Sequence, residues 1–433
     1  MKKTLLIFLA VILAFSMLTG CGIFRLLLDN VPDEETHNVI KISVSDSHSM
    51  AITSDNSLWI WGDNTFGQLG DGSTTIYDEF DPTIIYENND AYTPTKLLND
   101  IVDIAAGDGF SLAVNKDGEL LSWGDNDYGQ LGNGNYERNL TPQKIMDDVK
   151  YIDAYGSTSI ALKEDDTLWM WGFDLTSGLE WDEVTLKYKH NTSPVKIMEN
   201  VRKAAVGSDG IFMLDYDGSL YGIGRLIDLG IDYDDDPNEA TATPTLILTD
   251  IKDVVASAQQ TFVITLDDDL YGWGPNTSSG DVGSGSSEFW IYSPQFICSD
   301  VKEVVPGNML IKNDNSLWTW GEIACHVGFR MTQDGLGYDV GGCILDPPIV
   351  EYGNSPVKIM DNVAVAGGGR QHRIAVDTDG NVFAWGNNQF GQLGNGTASV
   401  IGRELIDQDY EYEEYLYFFT QDNSVQTPAQ IVW

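Results

Sequence analysis

The sequence predicts an all-β chain folded as a seven-bladed β-propeller, and three recurring marks predict it. An apolar stretch ending in Trp-Gly recurs seven times, at residues 58–62, 120–124, 168–172, 220–224, 270–274, 317–321 and 382–386, with Ile223 replacing Trp in the fourth copy. Six residues before each Trp, or Ile223, stands an aspartate: Asp55, Asp117, Asp165, Asp217, Asp267, Asp314 and Asp379. Asp followed by Gly, Asn or Asp is hairpin chemistry that tolerates positive φ, so each unit holds a hairpin whose second strand ends at Trp-Gly. The third mark is a Ser/Thr-Pro pair closing each unit, from Thr93-Pro94 to Thr427-Pro428. Proline fits the start of an outer strand, where no ladder donor is needed. Three marks in fixed order, repeated seven times, mean radial repetition of small antiparallel sheets.

Composition agrees. The chain has 433 residues, 42% hydrophobic and 11% aromatic, with 44 Gly and only 14 Pro, which suits a large packed core and not a disordered acidic chain. It carries 24 Lys and Arg against 66 Asp and Glu, a formal charge of -42. No basic surface exists to displace counterions, which excludes nucleic acid as a partner.

Before the first unit the pattern changes. Lys2 and Lys3 precede an apolar run at 5–18, followed by Leu18-Thr19-Gly20-Cys21; a basic start, a short apolar run and small residues read as an export signal. The run is short for a spanning helix, and a Cys at that junction resembles a bacterial lipoprotein lipobox. The expected organisation is a signal peptide at 1–20, a tether at 21–38 and the propeller at 39–433. The protein is then exported and held outside the cell membrane by lipid on Cys21, its one contact with the bilayer. Cys298, Cys325 and Cys343 remain, an odd number, so at least one thiol is unpaired. Cys325 and Cys343 share a long loop and can staple it, Cys298 is expected as a buried free thiol, and no paired-Cys spacing points to a metal.

Trp61-Gly62-Asp63-Asn64-Thr65-Phe66-Gly67-Gln68-Leu69-Gly70 recurs in the second unit through Tyr128-Gly129-Gln130-Leu131-Gly132 and in the seventh as Trp385-Gly386-Asn387-Asn388-Gln389-Phe390-Gly391-Gln392-Leu393-Gly394. These segments resemble the regulator of chromosome condensation repeat family, whose members are seven-bladed propellers. The resemblance covers roughly residues 39–433 and implies a scaffold that works by surface contact with proteins. Units three to six lose Gly-Gln-Leu-Gly, so irregular loops are expected there. The last strand, from Thr427, and the first, from Asn38, are expected to meet across the seam and close the ring.

Catalytic patterns are scarce. None of the five His has metal-ligand spacing, and neither a Gly-x-Ser-x-Gly elbow nor a P-loop occurs. His48 and His372 occupy corresponding places in units one and seven, where the resemblance implies a structural histidine. Ser193 and Ser355 begin Ser-x-x-Lys matches, but both lie on the Ser-Pro mark. Residues 232–237 resemble the start of a calcium loop, with Pro237 in place of the sharp-turn glycine and Thr243 in place of the closing glutamate. The expectation is a binding protein, monomeric, with no enzymatic activity, cofactor or metal.

The connections from each Trp-Gly to the next Ser/Thr-Pro share one face of the disc, and three are long: 63–92, 322–354 and 387–426. Their units, one, six and seven, are neighbours around the ring, so the loops should form a raised wall on a rigid scaffold. That wall holds nineteen acidic residues against Arg330 and Arg403. Its candidate partner-binding residues are Tyr77, Phe80, Tyr86, Tyr338, Tyr410, Glu411, Tyr412, Glu413, Glu414 and Tyr415. Rings anchor and carboxylates steer, which suits a basic protein partner; the bland alternative is a solvated acidic surface whose aromatics pack the loops onto the disc. A carbohydrate-binding or carbohydrate-active propeller would use the same face, with carboxylates and aromatic platforms.

Overall fold

The computed structural model describes residues 38–77, 84–173, 181–182, 187–188, 190–208, 210–231, 240–257, 259–276, 280–321, 329–331, 337–339, 353–407, 414–421 and 423–431. From Val39 to Ile431 they form seven four-stranded antiparallel sheets, each built from consecutive main strands of one repeat. The first blade runs outward from the axis as Val39–Val44, His48–Thr53, Leu58–Gly62 and Ala91–Leu98. The seventh runs as Val363–Gly368, His372–Asp377, Val382–Gly386 and Val425–Ile431.

The aspartate mark does what its chemistry requires. In all seven blades the residue after it is left-handed: Asn56, Gly118, Asp166, Gly218, Asp268, Asn315 and Gly380, with φ from 61° to 84°. A second set, unrecognised in the sequence, turns the chain from one blade's outer strand to the next blade's inner strand. Asp100, Asp148, Asn200, Asp250, Asp300 and Asn362 all have φ near 60°, a conformation that Asn and Asp tolerate best among residues with a Cβ.

The core lies between blades. Met50, Ile52, Leu58 and Ile60 of the first blade share one buried cluster with Ile101, Ile104, Ala113 and Trp123 of the second. Five of the six buried Trp of the mark are also held by a directed bond, while Trp385 Nε1 has no partner among the described residues. Trp123 Nε1 donates to the carbonyl of Gln68 in the preceding blade at 2.8 Å, and Trp171 Nε1 donates likewise to Gln130. The following glycine is needed because the indole lies where its Cβ would be: at Gly70, φ is 73° and an added Cβ would sit 2.7 Å from Trp123 Nε1.

This contact corrects one expectation. Blades four and five keep the turn without Gln: Trp273 Nε1 donates to Asp228 O and Trp320 Nε1 to Asp281 O, both at 2.9 Å. Gly230 and Gly283 lie against those indoles, so the turn needs a carbonyl and a glycine, not a Gln side chain. The corresponding loops of blades three and six begin in 174–180 and 322–328, outside the described residues. At the seam the first and last strands meet as expected, by side-chain packing and not by sheet pairing. Val425–Ile431 pairs with Val382–Gly386 as the seventh blade's outer strand and adds nothing to the first blade's sheet. Val39 and Ile431 share a buried cluster, and the joint is held as those after blades one, two, four and five are, with Trp61 Nε1 donating to Gln392 O at 2.8 Å.

Candidate functional site

The direction of the strands decides which residues meet at the loop face. Gly62 lies opposite His48 in the ladder, and Asp63 N donates to Ser47 O at 3.1 Å. Each Trp-Gly end therefore stands beside the turn joining its blade's two innermost strands. The long loops and those axial turns share one face, and the loops are stitched round the ring: Gly72 N donates to Leu140 O of the next blade, Gly134 N to Thr192 O and Gly396 N to Tyr92 O.

The first blade's loop has its own polar core. Asp63 accepts from Thr65 N at 2.9 Å and Gln68 Nε2 at 2.7 Å, while Asn64 Oδ1 accepts from Leu69 N at 3.1 Å. Burial raises the Asp63 carboxyl despite these donors. Asp90 accepts from Asn64 N at 2.9 Å and Thr75 Oγ1 at 2.6 Å, and burial lifts its pKa to about 6. Tyr77 donates to Asp90 Oδ2 at 3.3 Å, and burial, then the Asp90 charge, push its hydroxyl far above the ordinary range. Tyr77 thus packs its own loop. Tyr86 is 67% exposed, beside exposed Ile84 and Ile85.

The loops of blades six and seven meet at backbone level. Strands Phe329–Met331 and Gly337–Asp339 form a hairpin, as do Val400–Asp407 and Glu414–Gln421. The two hairpins join through Arg330↔Leu416 and Met331↔Tyr415 into one four-stranded accessory sheet. This sheet contains Tyr338, Glu414 and Tyr415, so it brings together candidate residues from two blades. Phe80, Tyr410, Glu411, Tyr412 and Glu413 lie outside the described residues, as do Cys21, Cys325, Cys343 and the 232–237 segment.

Other candidates resolve into structure. His48 and His372 are fully buried, and burial lowers each pKa to about 3. Ser111 Oγ donates to Gln68 O and Ser49 Oγ to Gln392 O. Each hydroxyl has a single proton, so each accepts from the facing His Nε2–H, at 2.9 Å for His48 and 2.6 Å for His372. Lys196 pairs with Glu199 at 2.5 Å and Lys358 with Asp361, not with the serines of their Ser-x-x-Lys matches. Cys298 is a free thiol, half-buried where full burial was expected, and burial raises its pKa.

The fold also makes an axial cavity of about 270 Å³, lined by the inner strands of all seven blades. Its wall is largely Ile, Val, Ala and Gly. Near the end away from the loops, the third residue of each inner strand forms a collar. Lys41 pairs with Asp103 and Lys203 with Asp253 at 2.5 Å, while Glu303 makes no hydrogen bond or ion pair among the described residues. Asp153 lines the bore two residues further along its strand, accepting from Ala154 N at 2.9 Å and Val206 N at 3.1 Å, and burial raises it to about 6. At the loop-face mouth stand Asp46, Asp108 and Arg370. Loss of solvent, then the Asp46 charge, lift Asp108 to about 6 against the pull of Arg370. The collar was overlooked in the sequence, although its signal was there: a charged residue or Tyr third in the opening apolar strand of units one to six.

The repeats and the fold agree with the comparisons. The model of the RCC1-like domain matches residues 88–411, and that of the regulator of chromosome condensation (RCC1) repeat matches residues 39–68 and 55–114. The chain belongs to the RCC1-like family. Among curated relatives of this propeller, human E3 ubiquitin-protein ligase HERC2 is 37% identical over 99 residues, 22% of this chain and 2% of that protein. The Arabidopsis thaliana ultraviolet-B receptor UVR8 is 36% identical over 107 residues, 24% of this chain and 22% of the receptor. Only a small part of either relative is therefore spanned. Among solved structures, human WBSCR16 matches with a TM-score of 0.63 at 19% identity, covering 87% of this chain and 95% of that one. Yeast RCC1 (Prp20) bound to Kap60 matches with 0.61 at 20% identity, covering 91% and 93%. At such identities the likeness shows the fold.

Proposed function

We propose that this RCC1-like propeller is a monomeric protein-binding module, exported and carried on a lipid at Cys21, that receives a basic protein partner on its loop face at blades six, seven and one. The observation that carries the reading is the accessory sheet, in which Met331↔Tyr415 pairing ties the loops of two blades into one platform. The sequence over 400–421 has Asp407, Asp409, Glu411, Glu413 and Glu414 among Tyr410, Tyr412 and Tyr415, and no Lys. Closely spaced carboxylates speed encounter with a basic surface, and Tyr supplies large contact area at small entropic cost. Yeast RCC1, which shares this fold, is bound to Kap60 in a solved structure.

The test is affinity capture with the lipid-free chain, identification of what is retained, and repetition with residues 400–421 replaced by a Gly/Ser linker. Loss of capture in a variant that still melts cooperatively supports the site. Equal capture refutes it and turns attention to the opposite face. Glu413→Lys with Glu414→Lys should chiefly slow association and flatten its salt dependence.

A further inference from the structure

We propose that the outer strand of blade five, Trp290–Cys298, docks an extended partner segment that carries both apolar and basic side chains. The surface uses none of the residues assigned to the loop face, so the two readings stand or fall separately. An outer strand leaves one row of backbone N–H and C=O groups unpaired, and Lys is a common guard of such an edge. Four of the seven outer strands carry that guard at one place in the ladder: Lys96 opposite Trp59, Lys144 opposite Leu121, Lys196 opposite Trp169 and Lys358 opposite Trp318. Each meets an acid nearby, Lys96 at Asp55, Lys144 at Glu119, Lys196 at Glu199 and Lys358 at Asp361. Blade seven has Gln430 there, bonded to Asn381 Oδ1 at 3.0 Å. Blades four and five have Leu246 and Phe296 instead, 52% and 49% exposed.

Blade five departs furthest from the guarded pattern. Its outer strand is last in its sheet and has no charged residue. Trp290 stacks on Tyr292 with ring centroids 6.2 Å apart, Phe296 stands edge-on to Tyr271 at 5.7 Å, and Phe289 beside them is exposed, as is Tyr292. The acid that a lysine would meet is still present. Asp269 follows the aspartate mark by two residues, as Glu119 does in blade two, and Glu119 is the partner of Lys144 at 2.6 Å. The side chains of Asp267 and Asp269 make no hydrogen bond or ion pair among the described residues. Lys252 is committed to Asp268, and Lys312 of blade six lies over the Trp318 ring at 4.9 Å. An extended segment paired along 295–298, past Pro294, lays apolar side chains on these rings and brings Lys or Arg to Asp269. A second copy of the chain would bring the same uncharged strand and no cation. A lipid surface would meet exposed Asp267 and Asp300 at the end of the strand nearest Asp269.

The probe is a fluorescein-labelled peptide of alternating Lys and Val, titrated with the full chain and read by anisotropy. Roughly physiological ionic strength screens loose association with a chain of net charge -42. Saturable binding is expected. Phe296→Lys restores the residue that four other blades carry at this place, so it suits the fold, and it should weaken binding about tenfold or more. Leu246→Lys adds the same charge to blade four and should leave the affinity within about twofold, which separates loss of the site from a general change of charge. Asp269→Asn removes the cation's partner and should weaken the peptide about tenfold. A peptide of alternating Lys and Ser, equal in charge, should bind about tenfold more weakly than the Val peptide. The absence of saturable binding, equal affinity of wild type and Phe296→Lys, equal weakening by Leu246→Lys, or equal binding of the Ser peptide would each overturn the proposal. So would a dimer of the free chain, or its retention on phosphatidylcholine vesicles, that Phe296→Lys abolishes, since the edge would then belong to a second copy or to lipid.

Discussion

Protonation of His372 should loosen the ring at the seam, and His372→Gln should remove that weakness. His372 is fully buried and neutral, with Nε2–H donating to Ser49 Oγ of the first blade at 2.6 Å. Its pKa falls from 6.5 to about 3, first through burial and then through His48 and Arg373. A depressed folded-state pKa means the unfolded chain binds more protons between those limits. The histidine's contribution is therefore complete above pH 6.5 and is lost as pH falls toward 3. At pH 4.5, two units below the unfolded value, the loss is about 3 kcal/mol. Asp90 and Asp153, lifted to about 6, act in the opposite sense over much of that range, so the wild-type profile alone is ambiguous. Glutamine keeps an N–H near the Nε2 position and cannot charge, which makes the difference between the two proteins diagnostic. Urea unfolding followed by Trp fluorescence should find the variant less stable by about 1 kcal/mol near pH 7.5, the usual cost of an imperfect hydrogen bond. Near pH 4.5 it should be the more stable protein, by about 2 kcal/mol. Parallel profiles for the two proteins would refute the argument.

Further outcomes follow from other joints and loops. Gly394→Ala combines strain at a φ of 70° with a Cβ 2.9 Å from Trp61 Nε1, whereas Gly72→Ala meets nothing nearer than 3.8 Å. Thermal melts should show the first clearly more destabilising, with about 1–2 kcal/mol expected for the second from backbone strain alone. Trp61→Phe leaves Gln392 O without its indole donor and should cost about 1–3 kcal/mol in denaturant unfolding. Tyr77→Phe should lower stability by about 1 kcal/mol and leave partner affinity unchanged, while Tyr86→Ala should do the reverse in a binding assay. Cys21→Ser should move the protein from the membrane to the soluble exported fraction, read by fractionation; unchanged retention would refute lipid anchoring.

Blade number and hairpin turns were legible because each rests on local chemistry. Asn56, Asp166, Asp268 and Asn315 take left-handed φ where the aspartate mark placed a turn. The turns of blades four and five were missed because the element they share with the other blades is the carbonyl of Asp228 or Asp281, which any residue can supply; the readable signal was the apolar residue and glycine that follow. The collar escaped notice because Lys41, Asp103, Tyr151, Lys203, Asp253 and Glu303 are far apart in sequence and converge only when the ring closes. On the loop face, spacing predicted long loops on neighbouring blades, but a pairing such as Arg330↔Leu416 joins residues 86 positions apart, beyond the reach of any periodic pattern.

The joint between the last blade and the first uses the same indole-to-carbonyl bond as the joints after blades one, two, four and five. The disc therefore has no privileged starting point. A circular permutant whose old ends are bridged, and whose new ends fall in the short turn at Asp147 and Asp148, keeps every inter-blade bond described for the parent. Blade order is then a property of the circle, and the place where ribosomal synthesis enters it is interchangeable.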